Sequence, residues 1–582
     1  MVSKRKRQQS KPKEARIKFL LVAVFILAAA CVARLLDLQV LKYESFVALA
    51  EGQHSLQENL IPERGKIYVQ DRDSGDLFPL AINEKLNLVY AVPRVIQNSE
   101  SNLEEVAEKL EPLLEISKEE IIAKLEKPDD LYEPLKHEID DETKSKIEEL
   151  EIPGIEFQPE PHRFYPEKSL ASHILGFVGY VSNLRCGQYG VEGYYEEMLK
   201  GEPGRLVGER SATGMWVSIG NMDFVPAQDG DDLVLTIDRV VQYKVEKELA
   251  SAVQNYGATK GSAIVLDSKS GEILALANFP NFDPNLYSEV EDVNVFKNST
   301  IYDLYEPGSV LKPILMGAAL NSGLVGPNTT HECTGSVEVG KYTIHTSDMK
   351  AHGTETMTEV LENSCNVGMV FVNQLLGINR AYDCLNKFGF LDLSGIDLDT
   401  EIPASIPPKE KWNEVDLATA GFGQGAVTVT PMRLITAFSA IANGGELVQP
   451  HIVKKIIHSD GGEEIIKPKV VREVLSSSTA ATLSAMMVSA VKNGVAYPAY
   501  IPGYRIAGKT GTAQVPAKDK PGYDLDKKIT SFVGWPIDDP KFIVLIKFNF
   551  EKGNVWGATT AAPMFKRLAQ ELFKYYQIPP SE

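Results

Sequence analysis

The sequence predicts an α/β (α+β) protein: a sheet flanked by helices forms the C-terminal part, preceded by a separate elongated domain and one membrane-spanning helix. Three observations support this. The chain has 582 residues, more than one ordinary domain holds. Hydrophobic residues make up 43% and charged residues 24%, the balance of a folded protein. Strand and helix patterns alternate after residue 231. We therefore divide the chain into a basic tail (1–18), an anchor (19–41), an N-terminal domain (42–230) and a C-terminal domain (231–582).

A basic run followed by an apolar run predicts the anchor. Between Lys4 and Lys18 there are eight lysines and arginines against one acid, Glu14. Segment 19–41 reaches the roughly 20 apolar residues that a bilayer requires if Arg34 extends to the interface. The positive-inside rule then places the N-terminus in the cytoplasm and the later residues outside the cell membrane, after a single pass. Two alternatives stay open: a signal peptide cleaved near residues 28–30, or lipidation at Cys31.

Periodicity defines elements in both later domains. Leucine and valine recur at helical spacing between Leu103 and Leu114 and again up to Leu125, and Pro153-Gly154 ends this acidic helical part. In the C-terminal domain, apolar runs predict strands and helical spacing predicts two helices. The strands are 233–237, 262–266, 273–277, 530–534 and 542–548, and the helices are 240–253 and 562–576. Strands 262–266 and 273–277 are predicted to form a hairpin at Gly271.

Charge and cysteine content exclude some functions. The net charge of -19 makes nucleic acid an unfavourable partner. The five cysteines (Cys31, Cys186, Cys333, Cys365 and Cys384) show no CxxC or Cys/His spacing, so no metal site and no cofactor are predicted. Four of them lie beyond the anchor, where disulfides can form, but the spacing does not say whether any pair.

Three short motifs occur in order: Ser309-Val-Leu-Lys312, Ser364-Cys-Asn366 and Lys509-Thr-Gly-Thr512. They match the SxxK, SxN and KTG set of serine acyl-transfer sites. Serine and lysine three positions apart share a helix face, so the Lys312 amine can reach the Ser309 hydroxyl. Lys312 acts as a base only when neutral, which burial and a second cation such as Lys509 favour.

The third motif predicts an edge strand that receives a substrate. Lys509 and Gly511 share one face of such a strand, and Gly511 is predicted to let the substrate backbone lie close. The hydroxyls of Thr510 and Thr512, with Lys509, suit a carboxylate. The backbone N–H groups of Thr512 and Ser309 are predicted to form an oxyanion hole.

The order of the motifs is more specific than any one of them. SxxK alone is weak, because a solvated Ser and Lys at this spacing arise by chance. The sequence contains further matches at Ser3/Lys6, Ser10/Lys13, Ser347/Lys350 and Ser489/Lys492. All three motifs in order, together with their flanking sequences, make an accidental match improbable.

These residues resemble the class B penicillin-binding proteins over nearly the whole chain. Further similar elements are Arg64-Gly-Lys-Ile67 with Asp71-Arg72, Arg163-Phe-Tyr-Pro166, Gly190 to Gly201, Leu235 to Asp238, Gly423-Gln-Gly425 with Val429 to Pro431, Ser531 to Gly534, and Ala561 to Phe565. The resemblance implies a penicillin-binding transpeptidase domain, with a β-lactamase-like antiparallel sheet, on an N-terminal pedestal or dimerisation domain.

The resemblance also implies an activity: D,D-transpeptidation of peptidoglycan stem peptides on lipid-linked precursor strands. Ser309 would be acylated by the stem peptide or by β-lactams, and Lys312 would be the base. Ser364 would relay protons and Asn366 would hold substrate amides. Lys509, Thr510 and Thr512 would bind the carboxylate.

The second motif bears on the subtype. Ser364-Cys-Asn366 followed by Val-Gly resembles the division-type, FtsI-like members rather than the elongation type, which more often has Asp at the third position. The resemblance therefore implies septal synthesis beside an FtsW-like glycosyltransferase and other divisome proteins. Elongation remains an alternative.

Two alternatives differ in chemistry. A β-lactam hydrolase or sensor on the same domain would require a water-positioning glutamate, and Glu401 lies in the right interval but in no motif. A non-enzymatic envelope scaffold would have no need of all five residues Ser309, Lys312, Ser364, Asn366 and Lys509.

Overall fold

The computed structural model describes residues 55–99, 102–127, 132–181, 184–209, 223–517 and 522–581, with single helical positions between 19 and 28. The predicted tail (1–18), most of the predicted anchor (19–41) and Cys31 lie outside the described residues. Among the residues that are described, no helix is long and apolar enough to cross a membrane.

The strands account for much of both predicted domains. They are β1 (Ser55–Leu60), β2 (Ile67–Gln70), β3 (Leu77–Ala91), β4 (Glu133–Ile139), β5 (Ile155–Phe164), β6 (Phe177–Val181), β7 (Leu184–Gln188), β8 (Gly204–Glu209), β9 (Asp223–Val225), β10 (Asp232–Leu235), β11 (Lys260–Leu266), β12 (Ile273–Phe279), β13 (Thr330–Cys333), β14 (Ser336–Val339), β15 (Tyr342–His345), β16 (Gly353–Thr356), β17 (Glu446–Val448), β18 (Val453–Ile457), β19 (Glu463–Ile465), β20 (Val470–Glu473), β21 (Ile506–Pro516), β22 (Tyr523–Pro536) and β23 (Ile543–Phe550).

The helices lie between these strands. They are α1 (Pro93–Asn98), α2 (Leu103–Leu114), α3 (Lys118–Leu125), α4 (Asp141–Glu148), α5 (Ser172–Leu175), α6 (Gly190–Tyr194), α7 (Glu196–Leu199), α8 (Arg239–Tyr256), α9 (Ser299–Tyr302), α10 (Lys312–Asn321), α11 (Met357–Glu362), α12 (Asn366–Lys387), α13 (Glu414–Ala420), α14 (Pro431–Ala442), α15 (Ser477–Lys492) and α16 (Ala561–Tyr575). The helices predicted at 103–114, 119–125, 240–253 and 562–576 are confirmed as α2, α3, α8 and α16.

The chain forms two compact units. The smaller comprises residues 1–62 and 202–228, and in its described part β1, β8 and β9 form an antiparallel sheet in the order β1-β8-β9. The larger comprises residues 63–201 and 229–582. It contains a seven-stranded sheet, in which β19, β18, β10, β2, β3 and β4 follow one another and β5 also pairs with β3, and the five-stranded sheet described next.

A five-stranded antiparallel sheet, ordered β12-β11-β23-β22-β21, organises the C-terminal part. The predicted hairpin and both predicted closing strands lie in it. Alternating side chains leave opposite faces: Ala263 and Val265 pack with α8 and α16, whereas Ile264 and Leu266 belong to a second core with α10, α12 and α14. The sheet is therefore covered by helices on both faces, and β21 is left at its edge.

A buried ionic cluster joins three of the elements on which the resemblance rests. The Glu192 carboxylate is fully buried and accepts hydrogen bonds from Arg64 Nε (2.8 Å) and Arg163 Nε (2.7 Å), while the Tyr165 hydroxyl lies 3.3 Å away. Burial raises the pKa of Glu192, but the two guanidiniums outweigh it and the pKa lies below its usual value. Removing one partner from such a buried pair is strongly destabilising.

Candidate active site

The candidate nucleophile lies on a tight turn between Pro307 and α10. Residues Gly308–Leu311 form one 3₁₀ turn, and the α-helix begins only at Lys312. The predicted helical first turn is thus a 3₁₀ turn, in which residues three apart are eclipsed, so Ser309 and Lys312 still share a face. Ser309 is half-buried and Lys312 is fully buried.

Gly308 and Gly423 allow this turn to pack closely against neighbouring backbone. Gly308 has φ +61°, and a Cβ there would lie 2.8 Å from the carbonyl oxygen of Thr512. Its N–H donates to the Gly423 carbonyl at 2.9 Å, and a Cβ on Gly423 would lie 2.1 Å from the Gly308 oxygen. The Gly423-Gln-Gly425 element therefore packs on the nucleophile turn, where no side chain fits on either glycine.

Lys312 is hydrogen-bonded to both polar residues of the second motif. Its Nζ donates to Asn366 Oδ1 at 2.8 Å, to Ser364 Oγ at 3.3 Å and to the Ser364 carbonyl. Burial lowers the pKa of Lys312 to about 7, against the opposing effect of Cys365 and Glu355. No hydrogen bond joins Lys312 to Ser309 within the described chain.

Ser364 lies between the two lysines. Lys509 Nζ, on the edge strand β21, donates to Ser364 Oγ at 2.8 Å and to the Thr510 carbonyl at 3.3 Å. Lys509 is fully buried; burial and then the charge of Lys312 lower its pKa well below the ordinary value. The two amines are thus close, and one hydroxyl bridges them, but it is the charge of Lys312 that lowers the pKa of Lys509, whereas burial is what lowers the pKa of Lys312. Ser364 itself has φ +54°, a left-handed conformation that costs a non-glycine residue energy.

Asn366 begins α12 and holds a neighbouring loop. Its amide nitrogen donates to the His345 carbonyl at 2.9 Å while its oxygen accepts from Lys312. Asn366 thereby connects the buried Lys312 to the end of strand β15, two residues before Ser347 of the cavity lining.

Gly511 has a packing role that the sequence did not predict. The edge position of the third motif is confirmed, although β21 begins three residues before Lys509, at Ile506. A Cβ on Gly511 would lie 2.4 Å from Ser531 Oγ, 2.6 Å from Val310 Cγ2 and 2.9 Å from the Pro307 carbonyl oxygen. The absent side chain lets the nucleophile turn pack on the strand, and the close approach of a substrate backbone to Gly511 stays a prediction.

A cavity of about 290 Å³ opens in front of Ser309. Four predicted residues line it: Ser309, Ser364, Thr510 and Thr512. Lys312, Asn366 and Lys509 instead form the polar layer that is hydrogen-bonded to Ser364. The Thr512 hydroxyl also accepts the Gly557 N–H at 3.0 Å.

Sequence reasoning missed the rest of the lining, which is Ser347, Asp348, Val495, Trp556 and Ala558. Ser347 had a weak signal as the first residue of a second SxxK match; the others had none. Among the described lining residues the carboxylate is that of Asp348. Glu401 instead accepts the backbone N–H groups of Ser394 (2.7 Å) and Gly395 (3.1 Å), so it closes a loop and does not line this cavity.

Sequence reasoning also missed a cluster beside the second motif. Cys333, His352, Glu355 and Cys365 bring their ligand atoms within 4.8 Å of one another. Their spacing in sequence matches no known pattern; they meet because β13 pairs with β16, with Cys333 opposite Gly353. All four described cysteines are free, so no disulfide forms in the described part of the chain.

Comparison with known families covers most of the chain. The family "Penicillin binding protein transpeptidase domain" matches residues 261–570, and the family "Penicillin-binding Protein dimerisation domain" matches residues 59–235.

Individual relatives agree with this. Stage V sporulation protein D of Bacillus subtilis is 33% identical over 564 residues, which cover 96% of this chain and 85% of the relative. Peptidoglycan D,D-transpeptidase FtsI of Escherichia coli is 28% identical over 584 residues, covering 99% and 95%.

Solved structures are similar as well. A peptidoglycan synthetase from Bifidobacterium adolescentis has a TM-score of 0.70 at 27% identity, covering 91% of this chain and 98% of its own. Penicillin-binding protein 3 of Mycobacterium tuberculosis, complexed with aztreonam, has a TM-score of 0.68 at 26% identity, covering 90% and 98%.

Proposed function

The chain belongs to the class B penicillin-binding proteins of the FtsI-like type, and from this premise we propose that it is a peptidoglycan D,D-transpeptidase with Ser309 as its nucleophile. One observation carries the assignment of residues. Ser309 faces a cavity whose wall includes Ser364, and Ser364 is hydrogen-bonded to two buried lysines of lowered pKa.

In the acylation step, neutral Lys312 takes the proton of the Ser309 hydroxyl. The Ser309 oxygen bonds to the carbonyl carbon of the penultimate D-Ala, and the bond to the terminal D-Ala nitrogen breaks. Ser364 already accepts from Lys509, so its own O–H is free to pass a proton toward the departing amine. Lys312, whose Nζ lies 3.3 Å from Ser364 Oγ, then restores that proton with the one it took from Ser309, so both lysines end the step as they began it.

The substrate carbonyl oxygen becomes negatively charged in the tetrahedral intermediate, and hydrogen-bond donors are required to stabilise that charge. The Ser309 N–H lies at the start of a 3₁₀ turn, where backbone donors lack intrahelical partners. With the Thr512 N–H on the adjacent edge strand it would form the oxyanion hole. Thr510 and Thr512 hydroxyls would bind the substrate carboxylate, and Asn366 would orient a substrate amide.

The second step transfers the acyl group. An amine of a neighbouring stem peptide bonds to the acyl carbon and gives up a proton through Ser364 to neutral Lys312. The ester bond to the Ser309 oxygen breaks, and Lys312 gives the proton to that oxygen, which frees the serine and leaves the new amide. A β-lactam follows only the first step: its ring amide opens on Ser309 and the acyl-enzyme persists.

The proposal extends to the whole chain. The tail (1–18) and anchor (19–41) would hold it in the cell membrane by a single span, with the cytoplasmic N-terminus and the pedestal (42–230) and transpeptidase domain (231–582) outside. The basic-then-apolar sequence supports the anchor. An FtsW-like glycosyltransferase and other divisome proteins are the proposed partners, as the likeness to a relative named FtsI suggests.

The test is a fluorescent penicillin applied to the full-length chain in detergent, beside Ser309→Ala. We expect a stable labelled band that the substitution abolishes, while circular dichroism of the two proteins stays the same. Ser347→Ala serves as the matched control, because Ser347 lines the same cavity but begins the unrelated SxxK match. Labelling that persists in Ser309→Ala would overturn the assignment, and rapid consumption of the drug without a band would favour a hydrolase.

The 33% identity to Stage V sporulation protein D favours a second role for the same activity, in sporulation rather than in septation. Expression of this chain in cells that lack either the division relative or the sporulation relative distinguishes the septal role from the sporulation role. Rescue of septation supports the septal role, and rescue of sporulation alone supports the other.

A further inference from the structure

The cluster of Cys333, His352, Glu355 and Cys365 has the dimensions of a tetrahedral metal site. Cys333 Sγ lies 3.3 Å from Cys365 Sγ and 3.7 Å from His352 Nδ1, and His352 Nδ1 lies 3.0 Å from Glu355 Oε1. Bonds of ~2.0–2.3 Å in tetrahedral geometry separate their ligand atoms by roughly 3.3–3.8 Å. Both thiols are fully buried and Glu355 is 2% exposed.

One ligand atom in this cluster is unsatisfied. Glu355 Oε1 accepts from Asn363 Nδ2 at 2.7 Å, whereas Glu355 Oε2 is buried and has no hydrogen-bond partner among the residues that the structure describes. A buried carboxylate oxygen without a partner is costly, and a bound cation would remove that cost.

Neighbouring residues orient the other ligands as in known metal sites. His352 Nε2 contacts both Asp348 oxygens at 3.3 Å, which would fix the imidazole tautomer and leave Nδ1 to bind the ion. The Gly368 N–H donates to Cys365 Sγ at 3.3 Å at the N-terminus of α12, so a backbone donor is directed at this sulfur. Burial raises the pKa of the Cys365 thiol against this hydrogen bond, so the thiolate forms only when a cation binds.

We propose that these four residues bind a structural Zn²⁺ ion. Two thiolates exclude Mg²⁺ and Ca²⁺, which require oxygen ligands, and a closed set of two sulfurs, one nitrogen and one oxygen suits Zn²⁺. The ion would join strands β13 and β16 to the start of α12. Cys365 stands between Ser364 and Asn366, so the ion would also hold these two residues in place; this consequence rests on the proposed function.

Metal content tests the proposal without reference to acylation. The full-length chain, purified in detergent without chelator, is expected to carry one zinc per chain by mass spectrometry of the metal. After exchange for Co²⁺, it should show the visible bands of tetrahedral cobalt and a thiolate-to-cobalt band. The variants Cys333→Ser and Glu355→Gln should lose the zinc, while Cys186→Ser, on β7, should keep it.

Several results would overturn the site. Wild-type protein that stays metal-free with excess Zn²⁺, or Co²⁺ that gives no thiolate band, contradicts it even if the variants fail to fold. Zinc retained by Cys333→Ser would place the ion elsewhere. If the wild-type protein has a mass two hydrogens below the expected value, and Cys333→Ser does not show this difference, Cys333 and Cys365 form a disulfide and the zinc site is overturned. With zinc present, chelation should slow penicillin labelling about tenfold; absent labelling with zinc bound would count against the proposed function, not the metal site.

Discussion

Two polar clusters meet at the second motif: Ser364 and Asn366 belong to the first, and Cys365, which stands between them in the sequence, belongs to the second. The clusters differ in how their polar atoms are hydrogen-bonded. In the first, hydrogen bonds within the protein join Lys312, Ser364, Asn366 and Lys509, and the Ser364 O–H remains available as a donor. In the second, four metal-binding side chains converge, and one carboxylate oxygen has no hydrogen-bond partner among the described residues. The first cluster can therefore pass a proton, whereas the second leaves a buried ligand atom for a bound ion to satisfy. The first cluster is therefore suited to proton transfer, and the second is suited to holding strands β13 and β16 and the start of α12 together.

The largest effect is expected from removing the base. Lys312→Met keeps the volume of a fully buried side chain but leaves no amine to accept the Ser309 proton. Loss of a general base lowers rates by about 10²–10⁴-fold. Penicillin labelling kinetics should show such a loss, with bound zinc unchanged.

The control for Lys312→Met is Lys350→Met. Lys350 ends the SxxK match at Ser347 and is exposed, so its loss should leave labelling within experimental error of wild type. Equal loss in both variants, or wild-type labelling in Lys312→Met, would contradict the role of Lys312.

The substitution Gly511→Ala should have the next largest effect on the labelling rate. The new Cβ would lie within 2.6 Å of Ser531 Oγ and Val310 Cγ2 and would displace the nucleophile turn. Overpacking of this kind costs about 1–3 kcal/mol in unfolding free energy, and a displacement of about 1 Å costs about 10²-fold in rate. Thermal unfolding and labelling should both report it.

Gly326→Ala is its matched control. A Cβ there meets only Thr329 Oγ1, at 3.9 Å, so neither stability nor labelling should change by comparison. If Gly511→Ala labels normally, the close packing of turn and strand does not position Ser309.

Asp348→Asn should have a smaller effect, on the second cluster. The amide keeps the shape of Asp348 but weakens its hold on His352 Nε2. Residues that orient a metal ligand contribute about 10–100-fold to metal affinity. Competition with a chromogenic chelator should show this loss, and unchanged affinity would mean that Asp348 does not orient the ligand.

The sequence allows the first cluster to be predicted and conceals the second, for a physical reason. Ser309 and Lys312 are set by local helix geometry, and the motif order links them to Ser364 and Lys509. The metal ligands meet only because β13 pairs with β16 and Cys365 caps α12, which are long-range facts. Gly511 shows the same limit: its place on an edge strand was predictable, but the turn packed behind it was not.

The last test separates the clusters by pH. Burial lowers the pKa of Lys312 to about 7, and only the neutral amine is a base. Below that pH the protonated fraction grows, so the labelling rate should rise about tenfold per pH unit up to about pH 7 and level off above it. Metal ligands also bind protons, so zinc content must be measured at each pH. If the labelling rate falls as the pH is lowered, while zinc stays bound and constant tryptophan fluorescence shows that the fold is intact, the titrating group belongs to the lysine cluster. A rate that falls only as zinc leaves would show that the second cluster governs the pH dependence, and a flat profile between about pH 5 and pH 8 would mean that Lys312 is not the group that must be neutral.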